Sequence, residues 1–186
     1  MQNVVDIIPN KIRIETYVKG NNVDLSVSPV ESFVFTDAKG PIALSTHDEV
    51  PLFFVHEDGY FGAIKVNFQE ALDNKIGTLL GEELAKRGLS GEKLNVIMGP
   101  SLTFSHNPVE EELYEEVAKK YRGACKATSG VYYVDIPFIC LLQCRALGVP
   151  MANIRIGDYD TFENPSLFYS QARGEENENV TLATLL

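Results

Sequence analysis

The chain changes its hydrophobic period along its length. Lys11-Ile-Arg-Ile-Glu-Thr-Tyr-Val alternates polar and apolar positions, the two-residue period of a half-buried strand. Ser32-Phe-Val-Phe-Thr, Ile42-Ala-Leu-Ser and Val50-Pro-Leu-Phe-Phe-Val follow as further strands. The spacers between them, Asp37-Ala-Lys-Gly-Pro and His47-Asp-Glu, are short and turn-like. Glu57-Asp-Gly leads into Tyr60-Phe-Gly-Ala-Ile-Lys-Val and completes a hairpin. The step then lengthens to three and four. Phe68, Ala71, Leu72, Ile76, Leu79, Leu80 and Leu84 predict one amphipathic helix, stopped at Arg87-Gly88. Leu94-Asn-Val-Ile-Met predicts a buried strand. Asn107-Pro108 predicts the start of a second helix, with Asn107 as N-cap, Pro108 in the first turn and glutamates at the positive dipole end. Gly130-Val-Tyr-Tyr-Val predicts a strand, Asp135 caps a third helix from Ile136 to Leu147, and Asn153-Ile-Arg-Ile predicts a last strand. The tail is acidic and Asn-rich from Gly174, then apolar from Val180 to Leu186. Strands first, then helices alternating with strands, predict an α+β fold with at least one mixed sheet. No repeat or long linker divides residues 1–186, which read as a single domain.

Charge narrows the partners. The 186 residues carry 16 Lys+Arg and 26 Asp+Glu, a net charge of −10. Phosphate backbones and anionic lipid surfaces both require a basic face, so neither nucleic acid nor a membrane is expected as partner. No run approaches 18 apolar residues, and Met1-Gln-Asn-Val lacks a basic leader region. These features predict a cytoplasmic protein; its oligomeric state is not legible. Three cysteines are too few and odd in number for a disulfide scaffold. Cys140 and Cys144 share one helix face with apolar neighbours and read as packing residues. Cys125 has no base partner nearby in sequence.

Chemistry-bearing residues are sparse. His47, His56 and His106 have no metal-ligand spacing and no adjacent cysteine. They read as surface or hydrogen-bonding histidines. His47-Asp48-Glu49 reads as a turn that can project three polar groups between two hydrophobic strands. Gly99-Pro-Ser-Leu-Thr-Phe-Ser-His joins a strand to a helix, a place where backbone N–H groups can hold an anion, but it lacks the lysine of a phosphate loop. The five glutamates between Glu110 and Glu116 read as a solvated helix face. In Leu167-Phe-Tyr-Ser-Gln-Ala-Arg-Gly, an arginine among aromatics can clamp a phosphate or carboxylate; the plainer reading is an edge strand with a surface salt bridge.

The order of these segments resembles the laccase-domain family, also called multicopper polyphenol oxidoreductase-like proteins, many of which act as purine nucleoside phosphorylases. The resemblance runs from about Tyr17 to the C-terminus. Ser32-Phe-Val-Phe-Thr-Asp through Thr46-His-Asp-Glu-Val-Pro is similar to the family's Ala-Asp-Ala-Leu-Val-Thr-Asp and Thr-Ala-Asp-Cys-Val-Pro block. Met98-Gly-Pro-Ser-Leu is similar to its Ile-Gly-Pro-Ser-Ile block. Tyr133-Val-Asp-Ile-Pro with Ala146-Leu-Gly-Val matches a third segment, and Phe168-Tyr-Ser-Gln-Ala-Arg resembles its Phe-Phe-Ser-Tyr-Arg-Arg signature. The resemblance implies the laccase-domain (cytotoxic-necrotizing-factor-like) architecture, with mixed sheets flanked by helices. It also implies a chain shortened at its N-terminal end.

The departures bear on function. The resemblance implies zinc held by a His of Gln-Val-His-Gly, the Cys of Asp-Cys and the His of His-Ala-Gly-Trp-Arg-Gly. Here Tyr17-Val-Lys-Gly puts Lys19 at the first position, Asp48-Glu49 puts Glu49 at the second, and Lys65-Val-Asn-Phe-Gln-Glu puts Lys65 at the third and Gln69 at the arginine. Zinc takes neutral imidazole or thiolate, and two ammonium groups would repel it. Neither zinc nor copper is therefore expected. Lys19, Glu49 and Lys65 are expected instead to form an internal charge cluster. Two functions remain: a divergent member that binds a nucleoside-like or anionic small molecule, or a purine nucleoside phosphorylase or adenosine deaminase working with replacement groups. In the second, Asp48 or Glu49 would act as base and Lys65 or Lys19 would hold phosphate. Gln69, His106, Ser170 and Arg173 complete the expected ligand-binding set.

Overall fold

The computed structural model describes residues 3–9, 11–21 and 27–186. Along the chain come β1 (Val4–Ile8), β2 (Ile12–Thr16), β3 (Phe33–Thr36), β4 (Ile42–Thr46), β5 (Val50–His56), β6 (Phe61–Val66), α1 (Phe68–Leu72), α2 (Lys75–Arg87) and β7 (Leu94–Met98). Then follow β8 (Pro108–Val109), α3 (Glu111–Lys120), β9 (Cys125–Thr128), β10 (Val131–Val134), α4 (Ile136–Ala146), β11 (Ile154–Ile156) and β12 (Asn179–Leu185). The central sheet has the order β11-β7-β5-β6-β3; a second sheet has the order β1-β2-β12-β4, and β8-β10-β9 form a third. β11 runs parallel to β7 while β5 and β6 pair antiparallel, so the central sheet is mixed, as the element order predicts.

Three layers result. Leu52, Phe54, Ile64 and Val96 on one face of the central sheet pack with Ile76, Leu80, Ile139 and Cys144 of α2 and α4. Phe53, Phe61, Ala63 and Ile97 on the other face pack with Ile12, Ile14, Leu44 and Ala183 of the second sheet. A strand covered on both faces needs apolar residues at consecutive positions, which is why Val50–Val55 reads as a run and β2 as an alternation. Each fully buried Phe or Leu here contributes roughly 1.5–3 kcal/mol of transfer free energy. Cys140 and Cys144 are buried among these apolar groups, and burial pushes the Cys144 thiol up to about 12, which suits packing and not redox chemistry. Gly62 is required: a Cβ there would run into the Phe54 ring and the Val34 carbonyl.

The structure departs from the sequence pattern in several places, among them β1 and β12, which the pattern did not predict as strands. The helix expected over 68–87 is two helices. Asn74 takes the left-handed conformation (φ 57) between them, which asparagine tolerates better than most residues. Asn67 and Glu70 form a reciprocal capping box that starts α1. Asn107 does not cap α3. Glu110 is the N-cap, Pro108–Val109 pair with β10, and Asn107 Nδ2 donates to the Val134 carbonyl at 3.1 Å. β9 escaped the reading because it is largely exposed. Its register is set by Ser129 and Gly130, both at positive φ (53 and 79), the geometry of a tight hairpin. Among the described residues no helix is long and apolar enough to cross a membrane.

Candidate functional site

The β4–β5 turn, the start of α1, the loop after β7, the start of α4 and the 171–172 segment meet around a cleft of about 430 Å³. Two carboxylates line it, Asp48 and Glu49, with three carboxamides, Asn67, Asn107 and Gln171. Phe68, Leu102, Ile136 and Ala172 supply its apolar wall. Strand β5 begins right after Glu49, so the rigid central sheet holds both carboxylates at the cleft edge. Glu49 Oε2 accepts the backbone N–H of His47 at 2.7 Å. The Leu102 N–H donates to the Asp48 carbonyl at 3.2 Å and ties the loop after β7 to the same turn.

Beneath the cleft lies a closed polar network. Asp48 Oδ1 accepts from the Thr161 hydroxyl at 2.6 Å, and Oδ2 from the Ser170 hydroxyl at 3.1 Å and the Ala172 N–H at 2.9 Å. Arg173 donates to the carbonyls of Thr161, Phe162 and Phe168 and to Glu175. Glu175 also accepts from the Ser170 N–H at 2.9 Å and from the Lys19 ammonium, whose Nζ lies 4.7 Å from the Tyr169 ring centre. The Lys19 contact above all, helped by the Ser170 N–H and Arg173, outweighs the desolvation cost and holds the Glu175 carboxyl down to about 2.

A second cluster ties the loop after β7 to the segment that follows β11. Asp160 accepts from the N–H and hydroxyl of Thr103 and from His106 Nδ1 at 3.2 Å. His106 stacks on Phe162 with ring centres 4.4 Å apart. Burial pushes the Asp160 carboxyl up, but these donors and the Glu163 N–H bring it below the usual carboxylate range.

The candidate residues therefore separate. Asp48 and Glu49 line the cleft, whereas Lys19, Lys65, Gln69, His106, Ser170 and Arg173 are not on its wall. The expected Lys19–Glu49–Lys65 charge cluster does not form. Lys19 pairs with Glu175, and Lys65 Nζ donates to the Ser45 carbonyl at 3.1 Å, joining β6 to β4. Gln69 is exposed and bonds Asp73 at 3.1 Å; of its block, Asn67 and Phe68 are the members that reach the cleft. Arg173, expected as a ligand clamp, is closed instead on Glu175 and three carbonyls of its own chain. Asn107, Leu102, Ile136 and Gln171 were not singled out as lining residues; Leu102, Ile136 and Gln171 lie within blocks that the resemblance matched, which is the signal that could have found them, whereas Asn107 lies outside every matched block.

The donor set at the implied zinc positions does not fit zinc. Protonated Lys19 and Lys65 have no lone pair to give, and Glu49 alone offers oxygen. Among the described residues no three His, Cys, Asp or Glu side chains group as metal ligands.

Comparison with known proteins fits this geometry to a family. Residues 12–183 match the family described as multi-copper polyphenol oxidoreductase laccase. A purine nucleoside phosphorylase of Staphylococcus epidermidis is 24% identical over 172 residues, covering 86% of this chain and 62% of the relative. One of Bacteroides thetaiotaomicron is 25% identical over 138 residues, covering 71% and 51%. YlmD from Geobacillus stearothermophilus superposes with a TM-score of 0.74 at 20% identity, over 87% of this chain and 63% of that one. The hypothetical protein YfiH of Bacillus licheniformis gives 0.71 at 18% identity, over 83% and 61%. The chain thus spans less than two thirds of the length of these relatives.

Proposed function

The chain belongs to the multi-copper polyphenol oxidoreductase laccase family, and we propose that within it this protein is a divergent member that works without zinc and holds a nucleoside-like small molecule in the cleft at Asp48 and Glu49. The observation that carries this reading is a separation. The positions implied for the metal hold Lys19, Glu49 and Lys65, with both lysines committed to protein acceptors, while a cleft large enough for a small ligand persists beside them. Such a cleft, with an apolar wall and a few placed polar groups, has the make-up of a small-molecule site. The relatives' name, purine nucleoside phosphorylase, supports a nucleoside as the first ligand to try.

The alternative is a phosphorylase or deaminase working with replacement groups, which Glu49 favours because it places a carboxylate at the cleft edge. One experiment separates the two. Protein dialysed against zinc and then against buffer is assayed for bound metal, and adenosine and inosine are titrated calorimetrically with and without zinc. In parallel, base release is followed with inorganic phosphate, and inosine formation from adenosine without it. The proposal expects substoichiometric zinc, nucleoside binding indifferent to zinc and no turnover. Zinc-dependent turnover, or turnover lost in Glu49→Ala, overturns it in favour of an enzyme.

A further inference from the structure

Three oriented polar groups on the cleft wall, Glu49, Asn67 and Asn107, each have one atom engaged with the fold and one left over. Glu49 Oε2 is taken by the His47 N–H, and among the described residues nothing takes Oε1. Asn67 Oδ1 accepts the Glu70 N–H at 2.9 Å, which orients the amide and leaves Nδ2 as a donor. Asn107 Nδ2 donates one N–H to the Val134 carbonyl, which orients the amide and leaves Oδ1 as an acceptor. A carbonyl cannot donate and an amide N–H cannot accept, so these partners decide which atom remains. Asp48 is bound by three donors and adds negative charge more than free acceptor capacity.

The balance is acceptor-rich and negative. No lysine or arginine is among the lining residues, and Phe68, Leu102 and Ile136 offer an apolar surface. An anion entering here meets two carboxylates and no counter-charge. A flat ring that carries N–H groups meets Glu49 Oε1, Asn107 Oδ1 and a wall to lie on.

We infer that the cleft selects a compact, flat ligand that bears hydrogen-bond donors and no negative charge, and that Glu49 is the residue that reads it. The inference deepens the proposed nucleoside-like binding and rests on that cleft being the site. It also removes phosphate as a co-substrate there. Amino-substituted heterocycles and amidinium groups meet the description; carboxylates and phosphate do not.

Benzamidine and benzoate have nearly the same shape and opposite charge, so the pair tests charge selection alone. Each is titrated into the full chain at low salt, beside inorganic phosphate and adenosine, with amide chemical shifts locating the site. Benzamidine is expected to bind with shifts at Glu49, Phe68 and Asn107, and to bind roughly tenfold more weakly to Glu49→Gln, the loss of a charge-assisted hydrogen bond. Benzoate and phosphate are expected neither to bind nor to compete. The carboxamide oxygen introduced by Glu49→Gln still accepts the His47 N–H, so the melting temperature reports whether the variant is folded. Equal binding of benzoate, or undiminished binding of benzamidine to the folded variant, overturns the inference. Adenosine separates the two readings. If benzamidine binds through Glu49 and adenosine does not bind, charge selection stands and the nucleoside reading falls. If adenosine binds and phosphate tightens it, the nucleoside reading stands and charge selection falls. No binding by either probe overturns both.

Discussion

Asp48 and Glu49 are neighbours, yet they belong to opposite kinds of environment. Asp48 points into a closed network: three donors reach its two oxygens, and the same network continues through Ser170 and Glu175 to Arg173 and Lys19. Glu49 stands on an open wall with one backbone donor. A closed network of compensated charges holds loops in place and has little left for a ligand. An open wall gives the fold little and keeps its hydrogen-bonding capacity for an occupant. Chemically similar residues one position apart should therefore differ in what their loss does, stability for one and binding for the other.

The largest effect is expected inside the network. Arg173→Met removes the donor for three carbonyls and the partner of Glu175 at a side chain only 16% exposed. Removing one partner from such a network costs about 3–5 kcal/mol, read as a lower urea midpoint with unchanged slope. Arg173→Lys should recover only part, because an ammonium cannot reproduce the planar fork across several carbonyls. A loss below about 1 kcal/mol would class Arg173 with ordinary surface charges and dissolve the contrast. Asp48→Asn comes next. It keeps the shape but turns one acceptor into a donor facing a hydroxyl or N–H donor, at a cost of about 1–3 kcal/mol.

Falling pH should loosen the network. The folded-state pKa of Glu175 is depressed from the ordinary 4.5 to about 2. A depressed carboxylate stabilises the fold fully above its unfolded pKa and loses that contribution as pH falls through the folded value. Wild type should therefore be more stable than Glu175→Gln at neutral pH, with the gap narrowing below pH 4.5 and closing near pH 2. Asp160 adds a loss of the same sign, since its carboxyl also lies below the usual range. Paired thermal melts from pH 7 to pH 2 check this. A gap that stays constant across that range would remove the Lys19–Glu175 pair from the network.

The contrast was half legible in the sequence. The period-two stripe of β2 and the unbroken apolar run of β5 stated how many faces of each strand are covered. The break at Asn74 was not legible, because the three-and-four spacing passes through Asp73–Asn74 undisturbed and only the backbone turn reveals it. The resemblance drew attention to Asp48 and Glu49, and both line the cleft. It misassigned the lysines by treating three positions that share a metal elsewhere as a unit. The three side chains do not meet: Lys19 pairs with Glu175 and Lys65 with the Ser45 carbonyl. Glu175 itself lies two residues beyond the matched signature, in a stretch that reads only as acidic tail. Gln69 and Phe68 are adjacent, and which of them faces the cleft depends on the rotation of a five-residue helix, which no periodicity records.

The smallest stability effect is the one that sharpens the comparison most. In Glu49→Gln the carboxamide oxygen can still accept the His47 N–H, and no ion pair is lost among the described residues, so the change in unfolding free energy should stay within about 0.5 kcal/mol. Asp48→Asn and Glu49→Gln thus form a pair in which position differs by one residue and the chemical change is the same. If Glu49→Gln destabilised the protein as much as Asp48→Asn, Glu49 would belong to the network and the wall would have no group free to read a ligand. Equal stabilities for wild type and Glu49→Gln, with Asp48→Asn clearly lower in the same urea series, would place the boundary between structural and recognition chemistry between these two residues.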